Sequence, residues 1–552
     1  MAAGVSLVSG TAHAADPVAP AARAASAPQP DLAKAKAANV QTFASPADRT
    51  VRSALPAAQG KAAAAPQAQA QAPAQAAAGN PDLKIGLGAT SHNARGLELK
   101  TTITSAATPL SVTIAWGDGT TDSAQASGST VLANSHVYKK TGDYTITVTV
   151  TDAVNNVQAE NQLSIRTPGS DFTPHAPTRL LDTRDGTGTA KAKVPGKGTV
   201  RVKIAGNAQI PASVTAVVLN VTVTDTTEAG HVTVFPGSGY KQPNTSNLNY
   251  EAGQSVPNQV IVQVGNDGYV ELVNGGWAPV DLIADVTGYF TRTSSSGYTS
   301  LAPSRFVDTR EGFGTSKGQV PGYGTFGVQI AERGRVPKGV TAVALNVTVT
   351  DPQAAGHLTV FPSGQTAPTT SSVNFGAGQT IANSVIVPVG ADGEINIRNG
   401  SWKGADVVVD VVGYYSPDSK SAFLPISPSR WLDTRQSDWN GGPAPARGYL
   451  HMFMTPEEQG VEGYVLNATV TNTISAGFLS VAPDPNSWDD YIKGTQGRPE
   501  RPVSSTLNWT AYKTVPNLVQ ASAGDHGIVD FWNQSDHNVD LVVDLFGYYE
   551  SK

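Results

Sequence analysis

Arginine and aspartate side chains recur at fixed spacing in three places in the sequence. Side chains of these types can form ion pairs, bind ligands or take part in catalysis. An Arg-x-x-Asp-Thr-Arg motif begins at Arg179 and returns at Arg305 and Arg430. A carboxylate between two guanidinium groups either forms ion pairs that hold strands together or presents a charged site to a ligand. The charged residues of the three motifs are Arg179, Asp182, Arg184, Arg305, Asp308, Arg310, Arg430, Asp433 and Arg435.

Amide and carboxylate side chains follow the same period. An Asn-x-Thr triplet recurs at Asn220, Asn346 and Asn467, and a closing Asp-x-x-Gly-Tyr motif recurs at Asp285, Asp410 and Asp544. One hypothesis is a polar patch for sugar hydroxyls, or a catalytic pair of carboxylates. The other is structural, with Arg–Asp pairs across a sheet and amides that satisfy loop backbone groups. The structural hypothesis is favoured because the same residues stand at strand ends in all three copies.

A segment near the C-terminus, DPNSWDDYIKGTQGRPERP, has no counterpart in the earlier copies. Tryptophan flanked by carboxylates and amides is a common way to bind a sugar ring, by stacking and hydrogen bonding. The alternative is an ordinary terminal repeat whose extra aromatic residues replace aliphatic ones. The candidate ligand-binding residues are Trp488, Asp489, Asp490, Tyr491, Trp509 and Trp532.

Signatures of enzymes are largely missing from the sequence. There is no H-E-x-x-H, P-loop or dinucleotide fingerprint, and the chain has no cysteine. Residues 314–318 spell G-x-S-x-G, but within a glycine-rich loop instead of a strand-to-helix elbow. Asp118 and Asp122 are better explained by turn formation than by weak calcium binding. We therefore expect no catalytic centre, no metal and no cofactor.

Composition and charge limit the partners. The net charge of −6 includes no basic block, which argues against nucleic acid, and no apolar run is long enough to insert into a membrane. A short apolar stretch ending at Ala12-His13-Ala14 resembles the end of a secretory signal whose start is truncated. We therefore expect an extracellular protein whose partner is a glycan, a cell-envelope component or another secreted protein.

The sequence pattern predicts that these residues lie on β-strands. Residues 1–80 are rich in Ala, Pro and Gln, which predicts a signal remnant followed by a disordered tether. From residue 81 the sequence alternates: Val112, Ile114 and Trp116 share one strand face, and a Gly-Asp-Gly turn follows. The WGDG turn at 116–119 and the Gly-Asp-Tyr of 142–144 resemble the PKD (polycystic kidney disease) domain. The resemblance implies an immunoglobulin-like sandwich over 81–167, used as a spacer or adhesion module.

The remainder is a repeat, since the three arginine motifs lie 126 and 125 residues apart. The copies span residues 172–292, 299–416 and 424–550, and each shows about eight strand patterns, which predicts a closed sandwich or jelly roll. The unit resembles LDTR-type repeats of actinobacterial secreted proteins, which implies a companion module of undefined role. The fold class is thus all-β, and the copies are predicted to be independent units instead of one closed assembly.

These observations predict a secreted, non-catalytic multidomain binding protein. The third repeat is the expected glycan or cell-envelope site, because it carries the unmatched tryptophans. The alternative is a structural spacer or a subunit of an extracellular assembly, and a hydrolase is disfavoured because no catalytic constellation is found.

Overall fold

The computed structural model describes residues 32–55, 79–437, 439, 441–454 and 460–552. The signal-like segment and most of the predicted tether lie outside these residues. The described chain is nearly all β, which confirms the predicted fold class. No helix in the described part is long and apolar enough to cross a membrane.

The first domain is a sandwich of two antiparallel sheets, with strand orders β1-β3-β4-β7 and β2-β9-β8-β5-β6. Alternate residues of the strands point into the space between the sheets, where Trp116 and Tyr138 are fully buried. The strands are β1 (Gln41–Ser45), β2 (Val51–Ala54), β3 (Lys84–Ser91), β4 (Gly96–Thr104), β5 (Pro109–Ala115), β6 (Thr121–Ser127), β7 (Thr130–Val137), β8 (Asp143–Asp152) and β9 (Val157–Arg166).

The first two strands correct the prediction of a disordered tether over residues 1–80. β1 pairs with β3 and β2 pairs with β9, so both extend sheets of the sandwich. Ser45 Oγ donates a 2.8 Å hydrogen bond to Asn161 Oδ1, and both residues are buried. Helix α1 (Leu32–Ala37) lies farther away and buries Leu32 against the third repeat. The alanine-rich composition does not predict these elements, because they are stabilised by pairing with partners distant in the sequence.

Each repeat consists of eight strands in two four-stranded sheets, as predicted. The inner sheet of the first repeat has the order β10-β17-β12-β15 and the outer sheet β11-β16-β13-β14; the other repeats match. First-repeat strands are β10 (Asp171–Asp182), β11 (Thr199–Lys203), β12 (Val214–Thr224), β13 (Gly230–Pro236), β14 (Leu248–Tyr250), β15 (Val256–Gln263), β16 (Tyr269–Asn274) and β17 (Asp281–Thr291).

The second and third repeats follow the same plan. Second-repeat strands are β18 (Gly297–Asp308), β19 (Thr325–Gln329), β20 (Ala342–Thr350), β21 (Gly356–Pro362), β22 (Val373–Phe375), β23 (Ile381–Pro388), β24 (Glu394–Asn399) and β25 (Asp406–Ser416). Third-repeat strands are β26 (Ala422–Asp433), β27 (Tyr449–Phe453), β28 (Val461–Thr471), β29 (Gly477–Pro483), β30 (Leu507–Trp509), β31 (Val515–Ser522), β32 (Ile528–Asn533) and β33 (Asp540–Glu550). Helix α2 (Trp488–Lys493) is the unmatched segment of the third repeat.

The three inner sheets face one another, which contradicts the prediction that the copies are not parts of one closed assembly. On β12, Val217 and Leu219 face the repeat's own core, whereas Ala216 and Val218 face a core shared by all three copies. Because the inner sheets are covered on both faces, their strands are apolar on both faces. The shared core contains Phe172, Ala216, Val218, Ile261, Phe290, Tyr298, Ala342, Ala344, Ile386, Tyr415, Phe423, Val465, Leu518, Phe546 and Tyr549.

The PKD-like domain attaches at the end of this ring where the repeats begin and end. Arg95 Nη2 lies 3.3 Å from Asp171 Oδ1 at the start of β10, and both side chains are buried. Arg95 also donates its backbone N–H to the carbonyl of Lys552, after the last strand. The opposite end of the ring is formed by the loops that follow β12, β14 and β16 and their counterparts.

Candidate functional site

The recurring asparagines join each repeat to the next. Asn220 Nδ2 donates to the backbone carbonyl of Ser371 at 2.7 Å, Asn346 to that of Ser505, and Asn467 to that of Ser246 at 2.7 Å. The contacts therefore run from the first repeat to the second, from the second to the third and from the third back to the first. The three copies form a pseudo-threefold ring.

A second set of asparagines forms hydrogen bonds with the first set. Asn258 Nδ2 donates to Asn467 Oδ1 at 3.0 Å, and Asn383 and Asn517 make the equivalent contacts to Asn220 and Asn346. These amides are buried at the joints between copies. Sequence reasoning expected such amides to satisfy loop backbone groups, and the structure shows that the loops belong to the neighbouring repeat.

The arginine motif forms an ion network inside each repeat. Asp182 accepts hydrogen bonds from Arg179 Nη1 at 2.8 Å and from Arg184 Nη2 at 2.7 Å. Arg179 Nε also donates to Asp285 Oδ1 at 2.8 Å, so the closing motif on β17 is tied to the opening motif on β10. The other two repeats contain the same pairs, Arg305–Asp308, Arg310–Asp308, Arg305–Asp410, Arg430–Asp433, Arg435–Asp433 and Arg430–Asp544.

Two acids of this network have pKa values displaced in opposite directions. The hydrogen bond from Arg310 lowers the pKa of Asp308. Burial raises the pKa of Asp544 to about 6, although Arg430 opposes the shift. Arg430 Nη2 also reaches across to the carbonyl of Asn244 in the first repeat at 3.0 Å. The network thus supports strand ends and a joint between copies.

A cavity of about 1020 Å³ lies at the loop end of the ring, where the three copies meet. Equivalent residues of each copy line it, which places it on the pseudo-threefold axis. Its lining includes Asn249, Glu251, Gln254, Ser255, Val256, His357, Asn374, Gln379, Thr380, Ile381, Arg435, Asn508, Tyr512, Lys513, Thr514 and Val515.

The asparagines of the cavity are presented by strand alternation. On β14 the side chains of Leu248 and Tyr250 pack in the repeat's own core, so Asn249 faces the other way. Asn374 and Asn508 occupy the equivalent positions on β22 and β30. Asn508 Oδ1 is buried and has no hydrogen-bond partner among the described residues. The cavity therefore offers amide groups to a ligand.

The charged groups of the cavity are already paired. Lys513 Nζ contacts the Glu251 carboxylate across the joint between the third and first repeats. Arg435 is bound to Asp433. Burial lowers the pKa of His357. The wall accordingly combines neutral hydrogen-bonding groups with neutralised ion pairs.

The six sequence-predicted ligand residues are not brought together. Trp509 lines the cavity but is 3% exposed in the third repeat's core, and its Nε1 donates to the carbonyl of Ser475 at 3.0 Å. Trp532 is 1% exposed and stacks on Tyr449 on the outer sheet. Neither indole presents a free face to a sugar in this conformation.

The other four predicted residues belong to helix α2, which covers the outer sheet of the third repeat. Trp488 stacks on Phe453 with ring centroids 4.9 Å apart, and Tyr491 is buried against His451. Asp490 forms a capping box with Ser487, and Asp489 pairs with Lys493 on the exposed side. Of these residues, Tyr491 is buried, Trp488 and Asp490 are half-buried and Asp489 is exposed.

Sequence reasoning missed a buried acid pair beneath this helix. Asp530 is fully buried, and neither carboxylate oxygen has a hydrogen-bond partner among the described residues. Burial, reinforced by the charge of Asp484, raises the pKa of Asp530 to about 9. Asp484 accepts from the Tyr491 hydroxyl and from both the backbone N–H and the Nδ2 of Asn486. A protonated Asp530 is a hydrogen-bond donor beside the Asp484 carboxylate, which agrees with its raised pKa.

In the PKD-like domain, the candidate acids stabilise the WGDG turn. Asp118 Oδ1 accepts from the backbone N–H of Thr120 at 3.0 Å, and Asp118 Oδ2 lies 2.9 Å from His136 Nε2. Asp122 accepts from Trp116 Nε1 at 3.0 Å. A search of the described residues finds no group of three or more His, Asp or Glu arranged to hold a metal ion.

Comparison with known families identifies the first domain. Residues 89–165 match the family model described as PKD domain. The PKD domain and the β-sandwich fold are typical of extracellular binding or adhesion modules. Comparison with curated proteins finds no match.

Solved structures give weak likenesses. A "SusE-like protein" has 10% identity and a TM-score of 0.11, covering 35% of this chain and 93% of that one. A structure titled "The Triple Jelly Roll Fold and Turret Assembly in an Archaeal Virus" has 10% identity and a TM-score of 0.14, covering 69% and 90%. One from Sulfolobus Turreted Icosahedral Virus has 8% identity and a TM-score of 0.14, also covering 69% and 90%. TM-scores this low carry no functional argument.

Proposed function

We propose that this protein is a secreted, non-catalytic binding protein that takes a glycan of a cell envelope into the axial cavity. The observation that carries the proposal is the cavity itself, about 1020 Å³ in volume and lined by an asparagine from each repeat. Its volume is at the upper end of the range for small-molecule sites, which suits an oligosaccharide.

The chemistry of the wall favours a hydroxyl-rich ligand. Amides both donate and accept, as sugar hydroxyls do, so Asn374 and Asn508 can exchange water for a sugar at little cost in desolvation. The neutralised charges at Lys513 and Glu251 favour an uncharged sugar residue within the cavity. Tyr512, which is 79% exposed at the rim, supplies an aromatic face for stacking.

A glycan array of cell-envelope oligosaccharides, probed with the full chain, tests this proposal. For a saccharide that binds, the double variant Asn374→Ala, Asn508→Ala is expected to weaken affinity by roughly 10- to 100-fold, since two hydrogen bonds are lost. Trp488→Ala is the matched variant for the site expected from sequence, and it should leave binding unchanged.

The reverse pattern would place the glycan on the third-repeat insertion. Absence of any saccharide ligand would overturn the proposal and favour the alternative, a structural spacer or assembly subunit. A specific contact supports that alternative: the buried Arg95–Asp171 pair holds the PKD-like domain against the ring, as a rigid spacer would require.

A further inference from the structure

Two tryptophans stand in solvent at equivalent places on the cavity end of the ring. Trp277 is 77% exposed and Trp402 is 64% exposed, on the loops that follow β16 and β24. Neither side chain belongs to a hydrophobic core. Large exposed indoles at matching positions in two repeats suit an interaction surface, because tryptophan offers a wide apolar face for contact with a ligand.

The two loops adjoin the cavity. A Cβ atom on Gly230, which lines the cavity, would come within 2.9 Å of the Cα of Gly276, next to Trp277. In the second repeat, a Cβ on Gly356 would come within 2.8 Å of the Cα of Ser401, next to Trp402. The loops that carry the two indoles therefore adjoin the same opening, one in each of two repeats.

Each indole carries a lysine ammonium over its ring. Lys197 Nζ lies 4.3 Å from the centroid of Trp277, and Lys403 Nζ lies 4.6 Å from that of Trp402. The lysines come from different places: Lys197 precedes β11, whereas Lys403 directly follows its tryptophan. The pairing of an indole with a cation is thus present in two repeats, although the position of the cation in the sequence differs. Each pair combines an aromatic surface with a positive charge.

The third repeat lacks this pair. Asp536 stands where the tryptophans stand, and it forms an exposed ion pair with Arg447 at 2.6 Å. Arg447 occupies the Lys197 position, since their backbone N–H groups donate to the equivalent carbonyls of Ser535 and Gly276. Its charge is neutralised and no indole is present, so the surface has two recognition points.

We propose that the Trp277–Lys197 and Trp402–Lys403 pairs bind an anionic polysaccharide whose repeating sugars bear carboxylate or phosphate groups. Each indole stacks its free face on a sugar ring while its lysine pairs with the anionic group. Two such points engage one polymer, and the second binds at a high effective concentration once the first is occupied. This inference rests on the proposed glycan function. It specifies the class of polymer, an anionic polysaccharide, to which the sugar bound in the cavity would belong.

Affinity electrophoresis of the full chain in polygalacturonate tests the inference, with methyl-esterified polygalacturonate as the uncharged match and a phosphorylated mannan as the phosphate source. The double variant Trp277→Ala, Trp402→Ala is expected to lose at least tenfold in affinity for a charged polymer, and each single variant to lose less. Retention by either acidic polymer, weakened by added salt and by esterification, supports the proposal and identifies the charged group. The exposed Ile492→Ala on α2 serves as the control and should have no effect.

Failure of this inference is distinguishable from failure of the proposed function. Unchanged affinity in the double tryptophan variant, or retention that esterification does not reduce, would overturn the anionic surface while leaving the cavity proposal in place. Loss of binding in Asn374→Ala, Asn508→Ala alone would point to the cavity as the sole site. No retention by either acidic polymer would also overturn the inference.

Discussion

The side-chain amide of Asn220 donates a 2.7 Å hydrogen bond to the backbone carbonyl of Ser371, which joins a strand of the first repeat to a loop of the second. Equivalent bonds from Asn346 and Asn467 close the circle. The interval of about 125 residues in the sequence therefore corresponds to one step around the pseudo-threefold axis, because the same asparagine makes the same contact in each repeat.

Replacing one of these amides should weaken the whole ring. Asn346→Ala leaves the half-buried carbonyl of Ser505 without its donor, and Asn517 Nδ2 loses one of its two acceptors. We expect a loss of about 1–3 kcal/mol in the free energy of unfolding, measured by urea denaturation. The control is Asn396→Ala on the outer strand β24 of the same repeat, which should change stability little. Equal effects of the two variants would argue against a special role for the joint.

The arginine motif should respond to loss of its central acid. Asp308→Ala removes the partner of both Arg305 and Arg310. Because the arginines keep partial access to solvent, the expected cost is about 3 kcal/mol, the lower end for a buried pair. Differential scanning calorimetry of Asp308→Ala beside the exposed neighbour Glu311→Ala measures this. Unchanged melting together with lost saccharide binding would favour the functional hypothesis for the motif.

Stability of the third repeat should depend on the proton of Asp530. Its pKa is raised to about 9, so the folded state keeps a proton that the unfolded chain releases above about pH 4. The free energy of unfolding therefore falls as the pH rises from about 4 to about 9.

Asp530→Asn keeps the shape and removes this titration. It should stabilise the protein by about 1–4 kcal/mol more at pH 8 than at pH 5, measured by urea denaturation. The exposed Asp525→Asn is the control. Asp484, His451, Tyr449 and Tyr491 face the same cluster and are present in both proteins, so the difference reports the Asp530 proton together with its coupling to these groups. A constant difference across this range would contradict the assignment of the proton.

A single repeat should not remain a monomer. In residues 295–418 alone, the inner sheet would expose Ala342, Ala344, Ile386 and Tyr415, which the other copies cover in the full chain. We expect this fragment to form trimers or to aggregate, as analytical ultracentrifugation would show, because an apolar face of this kind is rarely left in water. A soluble monomer with a cooperative melt would mean that the shared core is dispensable.

The repeat, the number of strands in each copy and the PKD-like sandwich could all be predicted from the sequence. These features depend on alternation and on turn residues, which act between neighbours in the chain. The asparagines at 220, 346 and 467 could be identified as recurring polar positions, and alternation placed them on the strand face opposite Leu219 and its equivalents. Alternation does not show which surface packs against that face.

Three relations are visible in the folded chain alone: this face meets another copy, Trp509 is buried in a core, and Asn249, Asn374 and Asn508 share a cavity. Each of these relations joins residues more than 100 positions apart or depends on which side of a strand is covered. Alanine-rich residues 32–54 illustrate the same limit, since β1 and β2 gain their stability from β3 and β9. Burial of small side chains depends on the shape of the partner surface, and the local sequence does not specify that shape.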